Sequence, residues 1–225
     1  MTAPDTARLG RVDAVCVVHA IRDSGTRRVP RTAIDKRPVT GPVHVHALGL
    51  TGDRQCDTEY HGGRHKAVYV YGEDEAQRWA AELGRDLSSG WFGENLRLSG
   101  IRTTDAVIGE RWRIGTAGLV LEVTEPRTPC GTFGVWAAEP GWVKRFTERG
   151  DTGAYLKVVT EGPIAEGDEI RVVSVPEHGV TVRDMFTGRD PDRLALLLEQ
   201  QDDLSPTVVE KVRRRLAKRQ VQGAK

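Results

Sequence analysis

The first 175 residues alternate hydrophobic and polar positions in short runs, and turn residues separate the runs. In residues 43–48 the apolar side chains recur at every second position, which is the period of a strand with one buried face. The pattern predicts strands at residues 12–19, 43–50, 67–71, 111–114, 119–124, 155–160 and 169–175. Apolar side chains that recur every three to four residues predict helices over residues 73–87 and 142–149. Because strands and helices do not alternate regularly, we predict a mostly β fold with helices, a barrel or folded sheet rather than a doubly wound sheet.

After Val175 the pattern becomes helical, and helices are predicted over residues 180–186, 192–200 and 207–220. Asp190-Pro191 and Ser205-Pro206 each place an N-cap residue before a proline at the first helical position. About fifty residues are too few to bury much core alone. We therefore predict two domains, residues 1–175 and 176–225, with the small helical domain packing against the first domain or a partner.

Composition narrows the class of protein without identifying its chemistry. The 225 residues are 38% hydrophobic, and 33 basic residues against 32 acidic ones give a net charge of +1, which argues against a general nucleic-acid binder. No window approaches the ~18 consecutive apolar residues of a membrane span. Residues 1–10 lack the basic stretch followed by an apolar run that is typical of a secretory signal. With three cysteines and no C-x-x-C spacing, we expect a reduced, cytoplasmic protein without a membrane partner.

Cys130 is the residue whose setting most suggests chemistry. It lies after a predicted strand in the run PRTPCG (126–131), where two prolines stiffen the backbone and Gly131 permits a tight turn. We expect its thiol at a strand end, with Arg127 close enough to favour the thiolate that attacks or binds metal. A buried structural cysteine is the alternative, and we keep that interpretation for Cys16, which lies in an apolar strand.

The loop over residues 52–66 is a second candidate. Its Gly62-Gly63 turn, flanked by His61 and Lys66, offers backbone N–H groups and positive charge to an anion such as phosphate. The rival interpretation is a zinc site, although no second cysteine or acidic helix completes it. The candidate zinc ligands are Cys56, His61, His65, His44 and His46.

Two other segments have a functional and an ordinary interpretation. Residues 91–96 (WFGENL) either line a pocket or cap a barrel end, and the basic run 31–38 is interpreted as a solvated loop. No glycine-rich dinucleotide fingerprint, P-loop or nucleophile-elbow serine motif occurs in the sequence.

Read in order, eight segments between about residue 32 and residue 175 resemble the MOSC family, named for the C-terminal domain of molybdenum-cofactor sulfurases. They are TAIDKRPV (32–39), GLxGDRQxD (49–57), HGGxxKAVY (61–69), FGENL (92–96), IGERW (108–112), PRxPC (126–130), GxYLKV (153–158) and GD (167–168). The helical tail resembles the small α domain of the bacterial stand-alone branch, which is related to 6-hydroxylaminopurine-resistance proteins.

The resemblance implies a MOSC-type β-barrel in which a cysteine, here Cys130, binds molybdenum through sulfur, and a soft thiolate suits such a metal. It also implies molybdenum cofactor (molybdopterin) binding at the matching positions, while pyridoxal phosphate is not expected. Those positions are Thr32, Lys36, Asp53, Arg54, His61, Gly62, Gly63, Lys66, Glu94, Asn95 and Arg127. Two positions depart from the family pattern: Cys56 stands where a small residue such as Ala is expected, and Gly131 where bulkier residues are common.

From this resemblance we predict a molybdenum-dependent oxidoreductase that reduces N-hydroxylated compounds such as hydroxylaminopurines, with the cofactor supplying the redox chemistry. Because the sequence has no flavin fingerprint or ferredoxin-type cysteine run, the electrons must come from a separate reductase. Two alternatives stay open: a sulfur carrier or transferase that uses a persulfide on Cys130, and a non-catalytic cofactor carrier. The physiological substrate and the oligomeric state, with a homodimer as one option, also stay open.

The last predicted helix ends in a basic run, with seven basic and no acidic residues between Lys211 and Lys225. Such a run can bind phosphates non-specifically. An apolar stripe follows the same helix at Val208, Val209, Val212 and Leu216. The stripe favours packing against the barrel, a second subunit or the electron donor over nucleic-acid binding, with the basic face solvated.

Overall fold

A computed structural model describes residues 8–27, 29–56 and 62–223, with side chains up to Arg219. The strands in this part of the chain are β1 (Leu9–Asp23), β2 (Arg31–Pro38), β3 (Val43–His46), β4 (Gly49–Leu50), β5 (Val68–Gly72), β6 (Leu96–Ser99), β7 (Arg111–Ile114), β8 (Leu119–Pro126), β9 (Ala154–Thr160), β10 (Gly162–Ile164) and β11 (Glu169–Ser174). The α-helices are α1 (Glu73–Leu83), α2 (Gly131–Ala137), α3 (Trp142–Arg149), α4 (Val182–Thr187), α5 (Pro191–Gln200) and α6 (Pro206–Gly223). Arg64–Lys66 and Thr103–Asp105 form short 3-10 turns. None of the helices described is long and apolar enough to span a bilayer.

Seven strands close a barrel in the order β1-β11-β7-β8-β9-β5-β6, after which β6 pairs with β1 again. All neighbours in this ring are antiparallel except β5 and β6. Strand β1 is long enough to leave the ring, so its second half pairs with β2, with register shifts near Val18 and Ala20. Strands β3, β4 and β10 form a small separate sheet. The predicted mostly β fold with a barrel is therefore confirmed.

One hydrophobic cluster fills the barrel and continues into the C-terminal helices. Trp112 and Leu121 of the barrel belong to the same buried cluster as Met185 of α4, Leu194 of α5 and Val208 of α6. The apolar stripe of the last helix thus contributes to the core of this chain. The division into two domains stays a prediction.

A second cluster is mostly aromatic and holds α1, α2 and α3 together. The ring centroids of Trp79 and Trp142 are 4.5 Å apart, and Phe133 lies 5.1 Å from Phe146. Such ring pairs add specific contacts to the area that they bury. Through Phe133 the cluster holds α2, which begins at Gly131, the residue directly after Cys130.

The basic run 31–38 is not a solvated loop, so that prediction is wrong. The run forms β2, in which Ala33, Ile34 and Asp35 are buried. Arg22 of the paired strand β1 donates to the Asp35 carboxylate at 2.6 Å, which explains how a charged residue can be buried here.

Two turns also differ from the prediction. Gly131 makes no tight turn: it is the first residue of α2, and Cys130 is the N-cap residue. Residues 43–50 do not form one strand, because β3 and β4 pair with each other as a hairpin. Both predicted proline-preceded caps are confirmed, since the Asp190 and Ser205 side chains accept from backbone N–H groups of α5 and α6.

Candidate functional site

A cavity opens where β2, β5, β9 and the end of β8 meet the loop that follows β4. Its empty space, with the open solvent at its mouth included, is about 710 Å³. The wall holds eight of the residues predicted for the site, although their roles stay predictions. These residues are Thr32, Lys36, Asp53, Arg54, Lys66, Asn95, Arg127 and Cys130.

The other predicted residues are not part of this wall. The Glu94 carboxylate is fully buried, where it accepts from the backbone of Gly90 at 2.8 Å and from Arg97 at 2.6 Å. Gly62 and Gly63 do not line the cavity either, although the Gly63 N–H donates to the wall residue Gln55 at 3.2 Å. His61 lies outside the described residues, so the structure says nothing about its role.

Asp53 is the centre of a buried polar group behind one side of the wall. Its carboxylate accepts from the backbone N–H of Val18 at 2.9 Å, from the Asn95 amide at 2.8 Å and from the Lys36 ammonium. The other end of the Asn95 amide accepts from the backbone N–H of Tyr69 at 3.1 Å. Burial lowers the pKa of Lys36, and the charge of Asp53 opposes that shift. These bonds hold β2, β5 and the loop after β4 at fixed positions around the cavity.

Arg127 lies on the opposite side, between aromatic rings. Its guanidinium is 4.2 Å from the ring centre of Phe133 and 4.9 Å from that of Tyr69, and it donates to the Phe92 carbonyl. It forms no ion pair with any carboxylate of the described residues, and its buried Nε has no hydrogen-bond partner there. Within residues 8–27, 29–56 and 62–223, its positive charge beside the cavity thus has no carboxylate partner.

Three residues of the cavity wall are absent from those that the sequence predicts for the site: Tyr69, Tyr155 and Gln55. Tyr69 and Tyr155 pair directly across β5 and β9, with ring centres 5.2 Å apart. Burial raises the pKa of Tyr69, which keeps its phenol neutral. Gln55 donates to the Lys66 carbonyl at 3.1 Å and accepts from the Gly63 N–H at 3.2 Å, so it ties the glycine loop to the hairpin. All three residues occur inside the MOSC-like segments of the sequence, and that position is the one sequence feature that could have indicated them.

The charges of the wall favour an anion. Asp53 is the one acidic residue in the described wall, and it is paired with Lys36. Cationic side chains outnumber it: Arg31, Lys36, Arg54, Lys66 and Arg127. A narrow cavity lined by one sign of charge concentrates ligands of the opposite sign.

Two of the three cysteines reach the cavity. Cys130 and Cys56 are both partly exposed and line its wall, whereas Cys16 is buried in β1, as its apolar strand predicts. Burial, and next the charge of Glu94, raises the pKa of Cys16 to about 12. Cys16 is thus an inert thiol, and the chemistry of the cavity is left to the other two.

The zinc hypothesis gains no support from the described residues. Over residues 8–27, 29–56 and 62–223, no group of three or more His, Cys, Asp or Glu side chains is arranged to hold a metal ion. Among the proposed ligands, His65 instead lies 3.4 Å from the Asp203 carboxylate, and His44 faces Glu161 at 3.9 Å. The contribution of His61 is not tested.

Part of the cavity wall, including Lys66, Arg127 and Cys130, falls in a family match. A family profile described as the MOSC domain matches residues 57–171, about half of the chain. The chain belongs to the MOSC domain family. MOSC domains are associated with the molybdenum cofactor, so this MOSC protein is related to molybdenum-cofactor proteins.

Individual proteins agree with this assignment. YflK of Bacillus subtilis strain 168 is 34% identical over 152 residues, 68% of each chain. A protein named reductase from Gibberella moniliformis is 32% identical over 148 residues, which are 64% of this MOSC protein and 26% of the fungal one. The crystal structure of YiiM from Geobacillus stearothermophilus covers 92% of this chain and 99% of its own, with a TM-score of 0.74 and 23% identity. At that identity the likeness establishes a common fold.

Proposed function

We propose that this MOSC protein binds the molybdenum cofactor in the cavity through the Cys130 sulfur and reduces N-hydroxylated compounds. The observation that carries the proposal is that one cavity combines a partly exposed thiol with the buried guanidinium of Arg127, for which the described part of the chain supplies no carboxylate partner. A thiolate is a natural ligand for a soft metal centre, and a guanidinium suits phosphate. A metal-bearing pterin with a phosphate tail needs both in one place.

The residues present fit such a group. A buried N–H is costly to leave unmatched. Nε of Arg127 finds no hydrogen-bond partner among the residues that the structure describes, and an anionic oxygen would satisfy it. Lys66 lies on the same wall, with its ammonium 3.7 Å from the Glu125 carboxylate. The rings of Tyr69 and Tyr155, 5.2 Å apart and tilted by 42°, offer aromatic contacts for a ring system.

When bound, the cofactor would supply two-electron redox chemistry at its metal. The reaction consumes two electrons and two protons, breaks the N–O bond of the substrate, and yields the amine and water. Arg127 and Lys66 would hold the anionic end of the cofactor, and Cys130 its metal end. Electrons would come from a separate reductase, a view supported by the similarity to part of a fungal protein named reductase.

Cys130→Ala tests the assignment. Molybdenum and pterin per chain are measured after gentle purification, together with turnover of a hydroxylaminopurine in the presence of an added reductase. We expect molybdenum near one per chain in the unmodified protein, and loss of both metal and turnover in Cys130→Ala while its circular dichroism stays the same. Full activity in folded Cys130→Ala would contradict the proposal.

Cys56→Ala is the matched control, because it removes the other thiol of the same wall. The Cys56→Ala variant should keep its molybdenum. If this variant alone loses molybdenum, Cys56 and not Cys130 is the metal ligand. Persulfide sulfur on Cys130 without molybdenum would favour the sulfur carrier, and bound molybdenum without turnover the non-catalytic carrier. Stoichiometric zinc in the same elemental analysis would overturn the reductase.

A further inference from the structure

The connection between α5 and α6 contacts the barrel next to the cavity. Asp203 in this connection has a φ of 53°, in the left-handed region where Asp and Asn are the usual non-glycine residues. Its carboxylate accepts from both terminal nitrogens of Arg64, at 2.9 and 3.2 Å, and from Lys157 at 2.8 Å. The ring of His65 lies 3.4 Å from the same carboxylate.

Two cationic side chains, Arg64 and Lys157, and the ring of His65 therefore converge on one acidic group. The hydrogen bond from Lys157 is the main reason that the pKa of Asp203 lies below its ordinary value, so the carboxylate stays charged. Lys157 is itself buried and also pairs with Glu122 at 2.8 Å. Asp203 thus attaches the 3-10 turn Arg64–Lys66 to a rigid point on β9.

That turn ends on a residue of the cavity wall. Its backbone is held by Thr124, which donates to the His65 carbonyl at 2.5 Å, and by Gln55, which donates to the Lys66 carbonyl at 3.1 Å. Its first two side chains are held by Asp203. Together these contacts hold the turn whose last residue is Lys66.

We propose that Asp203 is a positioning residue: by holding Arg64 and His65 it fixes the turn that presents Lys66 to the anionic end of the cofactor. This inference rests on the proposed function. Helix α6 adds a second contact of the same kind, since Lys211 donates to the Thr128 hydroxyl at 3.1 Å, two residues before Cys130. The C-terminal helices thus contribute to the cavity without lining it.

Asp203→Asn tests the proposal, because Asn keeps the size and tolerates the left-handed backbone while the charge is lost. Asp202→Asn is the matched control: Asp202 is the exposed neighbour in the same connection. Hydrogen exchange of the backbone is measured over residues 62–68 of the cofactor-free full chain. Molybdenum per chain is measured on both variants purified from a cofactor-producing host.

We expect exchange over residues 62–68 to become about tenfold faster in Asp203→Asn alone, as loss of one charge-assisted hydrogen bond predicts. Molybdenum content should fall several-fold in the same variant. Unchanged exchange would overturn the proposal, and faster exchange with molybdenum equal to that of Asp202→Asn would reduce Asp203 to a structural role. If the unmodified protein carries no molybdenum, the proposed function fails, and the exchange result alone then decides whether Asp203 holds the turn.

Discussion

Asp53→Asn is expected to destabilise the fold because it removes the counter-ion of a buried ammonium. The Lys36 and Asp53 side chains are 10% and 6% exposed, and the carboxylate also accepts from Val18 and Asn95. Removing one member of a buried ion pair typically costs about 3–5 kcal/mol. Since both groups keep slight contact with water, we expect about 3 kcal/mol, or a fall in Tm of roughly 6–12 °C for a chain of this size.

The stability lost in Asp53→Asn should be smaller at alkaline pH. Burial already lowers the pKa of Lys36 in the folded protein, and without the opposing charge of Asp53 that pKa falls further. The unfolded chain keeps the ordinary pKa of lysine. Between these two values the unfolded state binds more protons, so stability rises with pH in that window. Denaturant unfolding at pH 7 and at about pH 9.5 should therefore show a smaller difference between variant and unmodified protein at the higher pH.

Lys36→Met combined with Asp53→Asn provides the control, because it removes both charges. The double variant should be more stable than Asp53→Asn by at least about 1 kcal/mol at pH 7, since no unpaired charge is left buried. The reasoning is refuted if Asp53→Asn costs less than about 1 kcal/mol, the range of exposed ion pairs, or if the double variant is the less stable of the two.

The three thiols should differ in reactivity: with its pKa raised to about 12 by burial, Cys16 should react with iodoacetamide at least about tenfold more slowly than Cys56 and Cys130 in the folded protein. Equal labelling in peptide mass spectra would contradict the burial of Cys16. Gly90→Ala and Gly118→Ala both place alanine at a φ near +90°, but a Cβ at position 90 would meet the Lys36 carbonyl, whereas nothing lies within 4 Å of position 118. We expect chemical denaturation to show a loss of about 1 kcal/mol for Gly118→Ala and roughly 3 kcal/mol for Gly90→Ala, and similar losses would argue against that close approach.

Elements with an unbroken pattern could be predicted from the sequence. Strand β7 and helix α3 occupy the residues that were predicted for them. Strand β2 could not be predicted, because charge along a chain ordinarily indicates exposure. Asp35 and Lys36 are buried since Arg22 and Asp53, both distant in sequence, neutralise them. Helix α2 has seven residues, too few for a visible period, and is held by the contacts of Phe133 in the aromatic cluster.

The wall of the cavity could be predicted only in part, for a similar reason. The ordered motifs indicate the residues with obvious chemistry, such as Lys36, Arg127 and Cys130. Tyr69 and Tyr155 are ordinary strand residues by pattern, and they become a shared surface only because β5 pairs with β9 in the register that sets them side by side. Glu94 shows the opposite case: its charge suggests a ligand-binding residue, but its carboxylate is used to bind Arg97.

The basic run of the last helix is the feature whose interpretation changes most once its contacts are known. Arg215 donates to the carbonyls of Met185 and Phe186 at 2.6 and 3.0 Å, where α4 ends and the helix dipole favours a positive charge. Arg219 pairs with Asp192, and Lys211 reaches Thr128. These three cations fasten α6 to α4, α5 and the loop of Cys130, so the run is in part a set of internal contacts and less of it is available to phosphates than its charge suggests. The same contacts hold α6 against the molecule, and with it the connection that carries Asp203 to the turn beside the cavity.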